Sequence, residues 1–183
     1  MYCGTNKIAL SSQKQIMDAL LSLLSEKNYA EISVSELCRK AQVSRQTFYS
    51  LYESKENIII DLLQSHGYAP DDSSDAETFQ FNLSAFCSQF STYLKENTSL
   101  LTMLFKNGIL YLLYDSFYDS IANCSFFMTE APIGEREYTA SFIASGFMGI
   151  TRTYILHNGT DSREYLKEKI MSLFRGEYLP TEK

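Results

Sequence analysis

The residues best suited to recognise a ligand chemically lie in one short segment, where Arg45 and Gln46 follow directly after Ser44. An arginine guanidinium can donate two hydrogen bonds to guanine, and a glutamine amide can pair with adenine. Each good pair discriminates between bases by about 1 to 3 kcal/mol. The first turn of a helix lying in the major groove brings such side chains to the base edges. The segment therefore predicts contacts to DNA bases.

Neighbouring polar residues are suited to the DNA backbone. Thr47 and Tyr49 fit phosphates or thymine methyl groups, whereas Ser33, Ser35 and Lys55 stand at expected helix starts, where backbone N–H groups favour a phosphate. Taken singly, each of them is equally consistent with a solvated surface residue or a helix cap. Their coincidence favours DNA. The predicted DNA-binding residues are Ser33, Ser35, Ser44, Arg45, Gln46, Thr47, Tyr49 and Lys55.

Two short helices are expected to position these residues. Ser33-Val34-Ser35-Glu36 matches the capping box, in which a serine and a glutamate satisfy each other's backbone N–H groups, so a helix is predicted over about 34–41. Ser44 offers a second N-cap, so a second helix is predicted over about 45–51. Two short helices joined by a tight turn are typical of a helix-turn-helix.

Residues 29–63 resemble the TetR family of bacterial transcription regulators. The family's pattern A-G-V-S-x-x-T-F/L-Y-x-x-F-x-x-K-x-x-L is matched from Ala41 to Ile58. Gln42 stands where the family has a turn glycine, and Tyr52 stands where it has phenylalanine. The resemblance implies an N-terminal DNA-binding module, a helical body, and a dimer interface formed by the last two helices of each subunit.

Charge and composition limit the other functional classes. Residues 1–65 contain seven bases and seven acids, so the whole net charge of −6 lies in the remainder of the chain. The four cysteines form no C-x-x-C pair, and His66 and His157 lack the partners of a metal site or catalytic triad. No Gly-rich phosphate loop is present. We therefore predict no enzymatic activity, no metal and no cofactor.

Two further sequence patterns bear on where in the cell the protein is expected. No apolar stretch reaches the roughly 18 residues that a bilayer crossing needs. Residues 1–7 lack the pattern of a secretion signal. The expectation is a cytoplasmic chain that does not span a membrane.

A polar segment around residues 69–74 divides the sequence, so we predict a helix-turn-helix domain over 1–66 and an effector-binding and dimerisation domain over 67–183. Apolar periodicity predicts a first helix over about 12–26 and body helices over about 75–96, 98–106, 108–129, 135–157 and 162–175. The expected fold is all-α, with a three-helix DNA-binding module followed by a helical ligand-binding and dimerisation bundle.

The body is rich in aromatic residues. Most are expected to pack in the core, although some could line an apolar pocket for a small apolar or aromatic effector, with tyrosine hydroxyls orienting it. The candidate pocket residues are Phe86, Tyr93, Phe105, Tyr111, Tyr114 and Phe117.

A stripe along the penultimate helix contains two glycines, which destabilise a helix unless they permit close approach. Together with the resemblance, it indicates a homodimer, although an ordinary intramolecular bundle is the alternative. The predicted interface residues are Tyr138, Phe142, Gly146, Gly149, Thr153, Ile170 and Leu173. We expect a ligand-responsive repressor bound to a palindromic operator. The alternative is a co-activator or adaptor that acts through another DNA-bound protein.

Overall fold

A computed structural model of the chain describes residues 6–65, 82–123 and 132–177. All regular secondary structure in these ranges is helical, which confirms the predicted all-α fold. A short 3-10 helix spans Tyr29–Glu31. The α-helices are α1 (Lys7–Glu26), α2 (Val34–Ala41), α3 (Arg45–Leu51), α4 (Lys55–Ser65), α5 (Leu83–Glu96), α6 (Thr98–Lys106), α7 (Leu112–Ala122), α8 (Ile133–Leu156) and α9 (Arg163–Phe174).

Helix α1 begins about five residues before its predicted start. The Asn6 side chain caps it by accepting a hydrogen bond from the Ile8 N–H at 2.9 Å. Ile8 and Leu10 are exposed, so the first turns of α1 carry no core-facing periodicity from which their helical state could be predicted.

The helix-turn-helix has the predicted bounds because both N-caps form. Ser33 Oγ accepts a hydrogen bond from the Glu36 N–H at 3.2 Å, and Ser44 Oγ accepts one from the Thr47 N–H at 2.9 Å. Helices α2 and α3 therefore start at Val34 and Arg45, as expected.

The turn between α2 and α3 explains one departure from the family pattern. Gln42 has a φ of 56° and a ψ of 36°, which is the left-handed conformation that glycine adopts most easily. Its N–H bonds to the Arg39 carbonyl, and the Val43 N–H bonds to the Cys38 carbonyl. These bonds close α2, so the turn keeps its geometry although it lacks glycine.

The second departure, Tyr52, creates a buried polar link. Its hydroxyl donates to Asp61 Oδ2 on α4 at 2.5 Å and also bonds to Gln13 on α1. Burial and the Asp61 carboxylate raise the pKa of Tyr52. The end of α3 is thereby tied to both flanking helices, which a phenylalanine at this position could not do.

Helices α1–α4 form a head, in which α1 packs against the other three helices. In the body, α5 packs on α9 and α7 packs on α8. Helix α4 packs against α7, so this helix pair joins the head to the body.

The body helices agree with the predicted ones within two residues at α6, α8 and α9. Helix α7 starts later than expected, because Gly108 adopts a positive φ of 70° and turns occupy most of residues 107–111 before it. It ends at Ala122, with Asn123 as its C-cap, so it is shorter than the predicted helix 108–129. The described residues do not include the domain boundary predicted at residues 66 and 67, or Cys3, His66 and Cys124. They also do not include the predicted helical residues 75–81 and 124–129.

Candidate DNA-binding surface

Helix α3 divides its side chains between two faces. Phe48 and Leu51 are buried in the head, whereas Arg45, Gln46 and Tyr49 are exposed. Helical spacing therefore holds the apolar residues inside and turns the predicted base-contacting residues outward.

Within the described residues, the side chains of Arg45 and Gln46 have no hydrogen-bond or ion-pair partner. Their donors and acceptors are open to a ligand, and they stand on the first turn after the Ser44 cap. This position is the one that direct base recognition requires.

Ser44 and Thr47 are engaged with each other. Their side-chain oxygens are 2.8 Å apart, and Thr47 is half-buried. In this conformation the two hydroxyls hold the start of α3, so their first role is structural.

Tyr49 is 52% exposed, and its ring meets the buried Phe48 ring edge to face, with centroids 5.2 Å apart. The contact restricts the ring while its hydroxyl remains outside. Tyr49 thus lies on the same exposed face of α3 as Arg45 and Gln46.

Ser33 and Ser35 are both exposed at the start of α2. Ser33 serves as the N-cap, in keeping with the preferred interpretation of this residue. Ser35 is the second residue of α2, in the same exposed first turn, and remains a candidate phosphate contact.

Lys55 does not point where a phosphate contact requires it. Its Nζ donates to the carbonyl of Ile32 at 2.6 Å and to that of Tyr29 at 3.1 Å. It also lies 4.2 Å from the centroid of the Tyr29 ring. In this conformation Lys55 therefore stabilises the segment before α2 from inside.

Two lysines of the head already form ion pairs with acidic side chains. Lys27 pairs with Glu36 at 2.5 Å, and Lys40 pairs with Glu26 at 2.5 Å. The hydrogen bond from Lys27 lowers the pKa of Glu36, although partial burial opposes the shift. These pairs reduce the positive charge that the head can offer to phosphates.

Arg39 is a surface base that the sequence analysis missed. It is exposed in the last turn of α2 and has no ion pair with any described residue. Its position next to the turn before α3 makes it a candidate phosphate contact. The sequence signal was available, since Arg39 is a basic residue in the last turn of the predicted helix 34–41.

The predicted pocket residues separate into two groups. Phe86, Tyr93 and Phe117 lie in one aromatic cluster on α5, α7, α8 and α9, with neighbouring ring centroids 4.4 to 6.1 Å apart. Burial raises the pKa of the Tyr93 hydroxyl. The other members of this cluster are Phe90, Phe147 and Phe174.

The remaining pocket candidates lie elsewhere. Phe105 is half-buried against the core, and Tyr111 is exposed in the turn before α7. Tyr114 has its hydroxyl 2.9 Å from Ser141 Oγ on α8 and stacks on Tyr118. The six residues thus do not line one common site.

The outer face of α8 exposes large apolar side chains. Tyr138 is 83% exposed, Phe142 is 70% exposed and Leu156 is 51% exposed. An added Cβ at Gly146 or Gly149 would meet nothing within 4 Å, so the middle of this face is open.

The other predicted interface residues differ in exposure. Thr153 lies on the same exposed face, with its hydroxyl donating to the Gly149 carbonyl. On α9, Tyr165 and Leu173 are both exposed, whereas Ile170 is fully buried in the protomer's own core. Ile170 therefore cannot contribute to an outer surface in this conformation, because it points inward with Leu166.

Over the described ranges, no group of three His, Cys, Asp or Glu residues is placed to hold a metal ion. None of the helices in those ranges is both long and apolar enough to cross a bilayer.

The chain matches known proteins most specifically in its head. Residues 16–62 match the family of bacterial regulatory proteins called the tetR family. The HTH-type transcriptional regulator YxbF of Bacillus subtilis (strain 168) is 39% identical over 54 residues, which are 30% of this chain and 14% of that protein. The match thus spans only about one seventh of the relative's length.

Three solved structures have a similar fold over most of the length of the chain. Lin0861 from Listeria innocua is 15% identical, with a TM-score of 0.76 over 97% of this chain and 96% of that chain. The dihydroxyacetone kinase operon activator DhaS is 21% identical, with a TM-score of 0.53 over 91% and 95%. A TetR transcriptional regulator from Rhodococcus sp. RHA1 is 16% identical, with a TM-score of 0.52 over 92% and 98%.

Proposed function

The chain belongs to the tetR family of bacterial regulatory proteins through its residues 16–62, and on that basis we propose that it is a ligand-responsive transcription repressor. It binds a palindromic DNA operator as a homodimer, acts in the cytoplasm and catalyses no reaction. The observation that carries this proposal is the outer face of α3, where Arg45, Gln46 and Tyr49 are exposed together.

The geometry of α3 supports base contacts. The two side chains that can pair bidentately with guanine and adenine stand on its first turn, where a recognition helix meets base edges. The caps at Ser33 and Ser44 and the buried Tyr52 link hold the helix before DNA arrives. Little ordering is therefore needed on binding.

The outer face of α8 supports the homodimer. Exposed aromatic residues at one end and glycines in its middle offer an apolar surface on which a second helix can approach closely. A two-fold dimer presents two copies of α3, and dimeric helix-turn-helix proteins contact half-sites about 34 Å apart. In this proposal Leu173 and Tyr165 of α9 extend the interface.

The aromatic cluster of the body supports an apolar or aromatic effector. Tyr93 is almost fully buried among its rings, and its hydroxyl offers one polar group to orient a ligand. An effector that changed the separation of the two heads would need a coupling energy of only about 1 to 3 kcal/mol to alter DNA affinity 5- to 150-fold.

Selection from a random duplex pool tests the proposal. The purified full chain is incubated with the pool, bound DNA is sequenced, and the best site is measured at several salt concentrations. An enriched palindrome with a steep dependence on salt is expected, because each neutralised phosphate adds about 0.9 to the slope of log affinity against log salt.

The Arg45→Ala variant is the specificity arm of the same experiment, and Arg39→Ala is its matched control. Both arginines are exposed and lack an ion pair within the described ranges. If the wild-type chain enriches no site at low salt while remaining a folded dimer, direct operator binding is contradicted. If Arg45→Ala leaves the selected sequence unchanged, the assignment of α3 to base contacts is contradicted.

A second candidate is an adaptor or co-activator acting through another DNA-bound protein. The pairing of Lys27 with Glu36 and of Lys40 with Glu26 favours it, because it leaves few bases for phosphates. A folded chain that ignores free DNA, yet shifts a preformed protein–DNA complex, would select this function over the first.

A further inference from the structure

The head and the body share one specific polar contact at the 3-10 helix. The Tyr29 N–H donates to Asn107 Oδ1 at 2.9 Å, although the two residues are 78 positions apart in the sequence. Tyr29 is buried, so water competes little for this bond.

Asn107 is itself held firmly. It is the C-cap of α6, and its Nδ2 donates to the Met103 carbonyl at 2.9 Å. The turn that it opens leads directly into α7, and Tyr111 of the same turn lies close enough to Tyr29 to interact with it electrostatically. The bond therefore joins Tyr29 to a rigid point of the body.

Within the head, Tyr29 is connected both to the first turn of α4 and to the segment that precedes α2. Its hydroxyl donates to Glu56 Oε1 of α4 at 2.8 Å, and its carbonyl and ring contact the Lys55 ammonium. Lys55 also binds the carbonyl of Ile32, which directly precedes the Ser33 cap of α2. A displacement of Tyr29 would thus reach α2 and α4 together.

On the body side, α7 connects this turn to the aromatic cluster. Phe117 of α7 packs within the cluster, and Tyr114 of α7 is hydrogen-bonded to Ser141 of α8. Because α7 begins five residues after Asn107, a shift of α7 along its axis also displaces the Asn107 side chain.

From these contacts we infer that Asn107 is the positioning residue through which the state of the body reaches the DNA-binding head. It acts on Tyr29 and not on DNA. The inference rests on the proposed function in one respect only, namely that the head is the DNA-binding part. The proposed coupling of the body to Tyr29 through Asn107 can be measured without DNA.

Amide hydrogen exchange of the full chain measures the contact itself. Asn107→Ala removes the acceptor, and exchange at residues 29–32 is expected to rise about fivefold. Asn107→Asp keeps an oxygen acceptor for the Tyr29 N–H, so it is expected to restore most of the protection.

The chain offers a matched control at Asn123. This residue is the C-cap of α7, and its Nδ2 donates to the Asp119 carbonyl at 2.9 Å, as Asn107 does at α6. Asn123→Ala removes the same type of capping bond without touching Tyr29. Exchange at residues 29–32 is expected to stay unchanged.

The transmitting role is tested by perturbing the body. Ser141→Ala removes the hydrogen bond between Tyr114 of α7 and Ser141 of α8, and Phe117→Leu removes ring contacts from the aromatic cluster. Each is expected to raise exchange at residues 29–32 by about threefold in the wild-type and Asn123→Ala backgrounds. In the Asn107→Ala background the additional effect should disappear.

The outcomes separate the two proposals. The inference is overturned if neither body variant alters exchange at residues 29–32, or if either alters it equally with and without Asn107. A DNA arm then measures the affinity of the selected duplex for the same variants. If the wild-type chain binds no duplex, the proposed function fails while the exchange result for Asn107 still stands.

Discussion

The outer faces of α3 and α8 are both exposed, yet they differ in chemistry and in how their side chains are held. On α3 the exposed side chains are polar, and the helix beneath them is fixed by a serine cap and by the buried Phe48. On α8 the exposed side chains are aromatic and aliphatic around an open glycine pair.

The difference indicates two kinds of partner. A polar face with unpaired donors suits a hydrated, charged polymer, because its groups gain hydrogen bonds on contact. An apolar face with a recess suits another protein surface, because burial removes apolar area from water. In the proposed function each face also needs the other, since a palindromic operator requires two copies of α3.

The largest effect is expected from a charge placed on the apolar face of α8. Phe142→Glu would bury a carboxylate at the interface, so the dimer dissociation constant is expected to rise by about 100-fold or more. Sedimentation velocity measures it. Leu10→Glu is the matched control, because Leu10 is also an exposed apolar residue, on α1. A Phe142→Glu chain that stays dimeric would remove α8 from the interface.

Arg45 and Arg39 are both exposed on the head, but we expect them to contribute differently to DNA binding. Arg45→Ala is expected to weaken binding to the selected site by about 5- to 150-fold and to relax its preference at one base pair. Arg39→Ala should weaken all sequences alike and lower the salt slope by about 1. Competition binding with single-base variants of the site distinguishes the two effects. Equal loss of preference in both variants would contradict the assignment.

The left-handed turn at Gln42 precedes α3, and a substitution there tests how much strain the turn carries. Gln42→Gly is expected to increase the free energy of unfolding by about 1 kcal/mol, because glycine adopts a positive φ without strain. Thermal unfolding should show a rise of about 2 to 4 °C. Asn158, with a φ of 58°, is the matched control. Asn158→Gly should give a smaller rise, since asparagine tolerates this conformation better. An unchanged or lower midpoint for Gln42→Gly would contradict the account of the turn.

The smallest expected effect concerns pH and the support beneath the head. Burial of Glu56 works against its charged form, but the Tyr29 hydroxyl and nearby donors outweigh it and lower the pKa of this carboxyl below 4.5. A lowered pKa in the folded state means that the stabilisation is present above the unfolded value and is lost as pH falls through the folded value.

Glu56→Gln measures this contribution. Between pH 7 and pH 3, the free energy of unfolding of the variant should fall less steeply than that of the wild type, by less than about 1 kcal/mol. Denaturant titrations at both pH values give the difference. Identical slopes for the two chains would show that the Tyr29–Glu56 contact adds nothing to acid stability.

The head was predictable from sequence because its signals are local. The serines at positions 33 and 44 and the apolar spacing around Phe48 determine where α2 and α3 begin. The inward position of Lys55 was not predictable, because it depends on carbonyls that lie more than twenty residues earlier in the chain.

The body was predictable only at the level of its helices. Apolar periodicity indicates a helix but does not specify which helices meet, so the aromatic residues could not be assigned to one cluster. Tyr111 and Ile170 illustrate this limit, since the first lies on the surface and the second in the core. The bond between Asn107 and Tyr29 likewise joins segments whose proximity depends on the tertiary packing.

Helix α3 and its Ser44 cap divide between different side chains two roles, holding the helix and contacting a ligand, that many binding sites place on the same side chains. Ser44, Thr47, Phe48 and Leu51 hold the helix, whereas Arg45, Gln46 and Tyr49 project from it. Substitutions at exposed positions usually change folding stability by no more than about 0.5 kcal/mol. A lineage could therefore exchange its operator through positions 45, 46 and 49 while the fold stays intact, which makes this helix a favourable substrate for regulatory evolution.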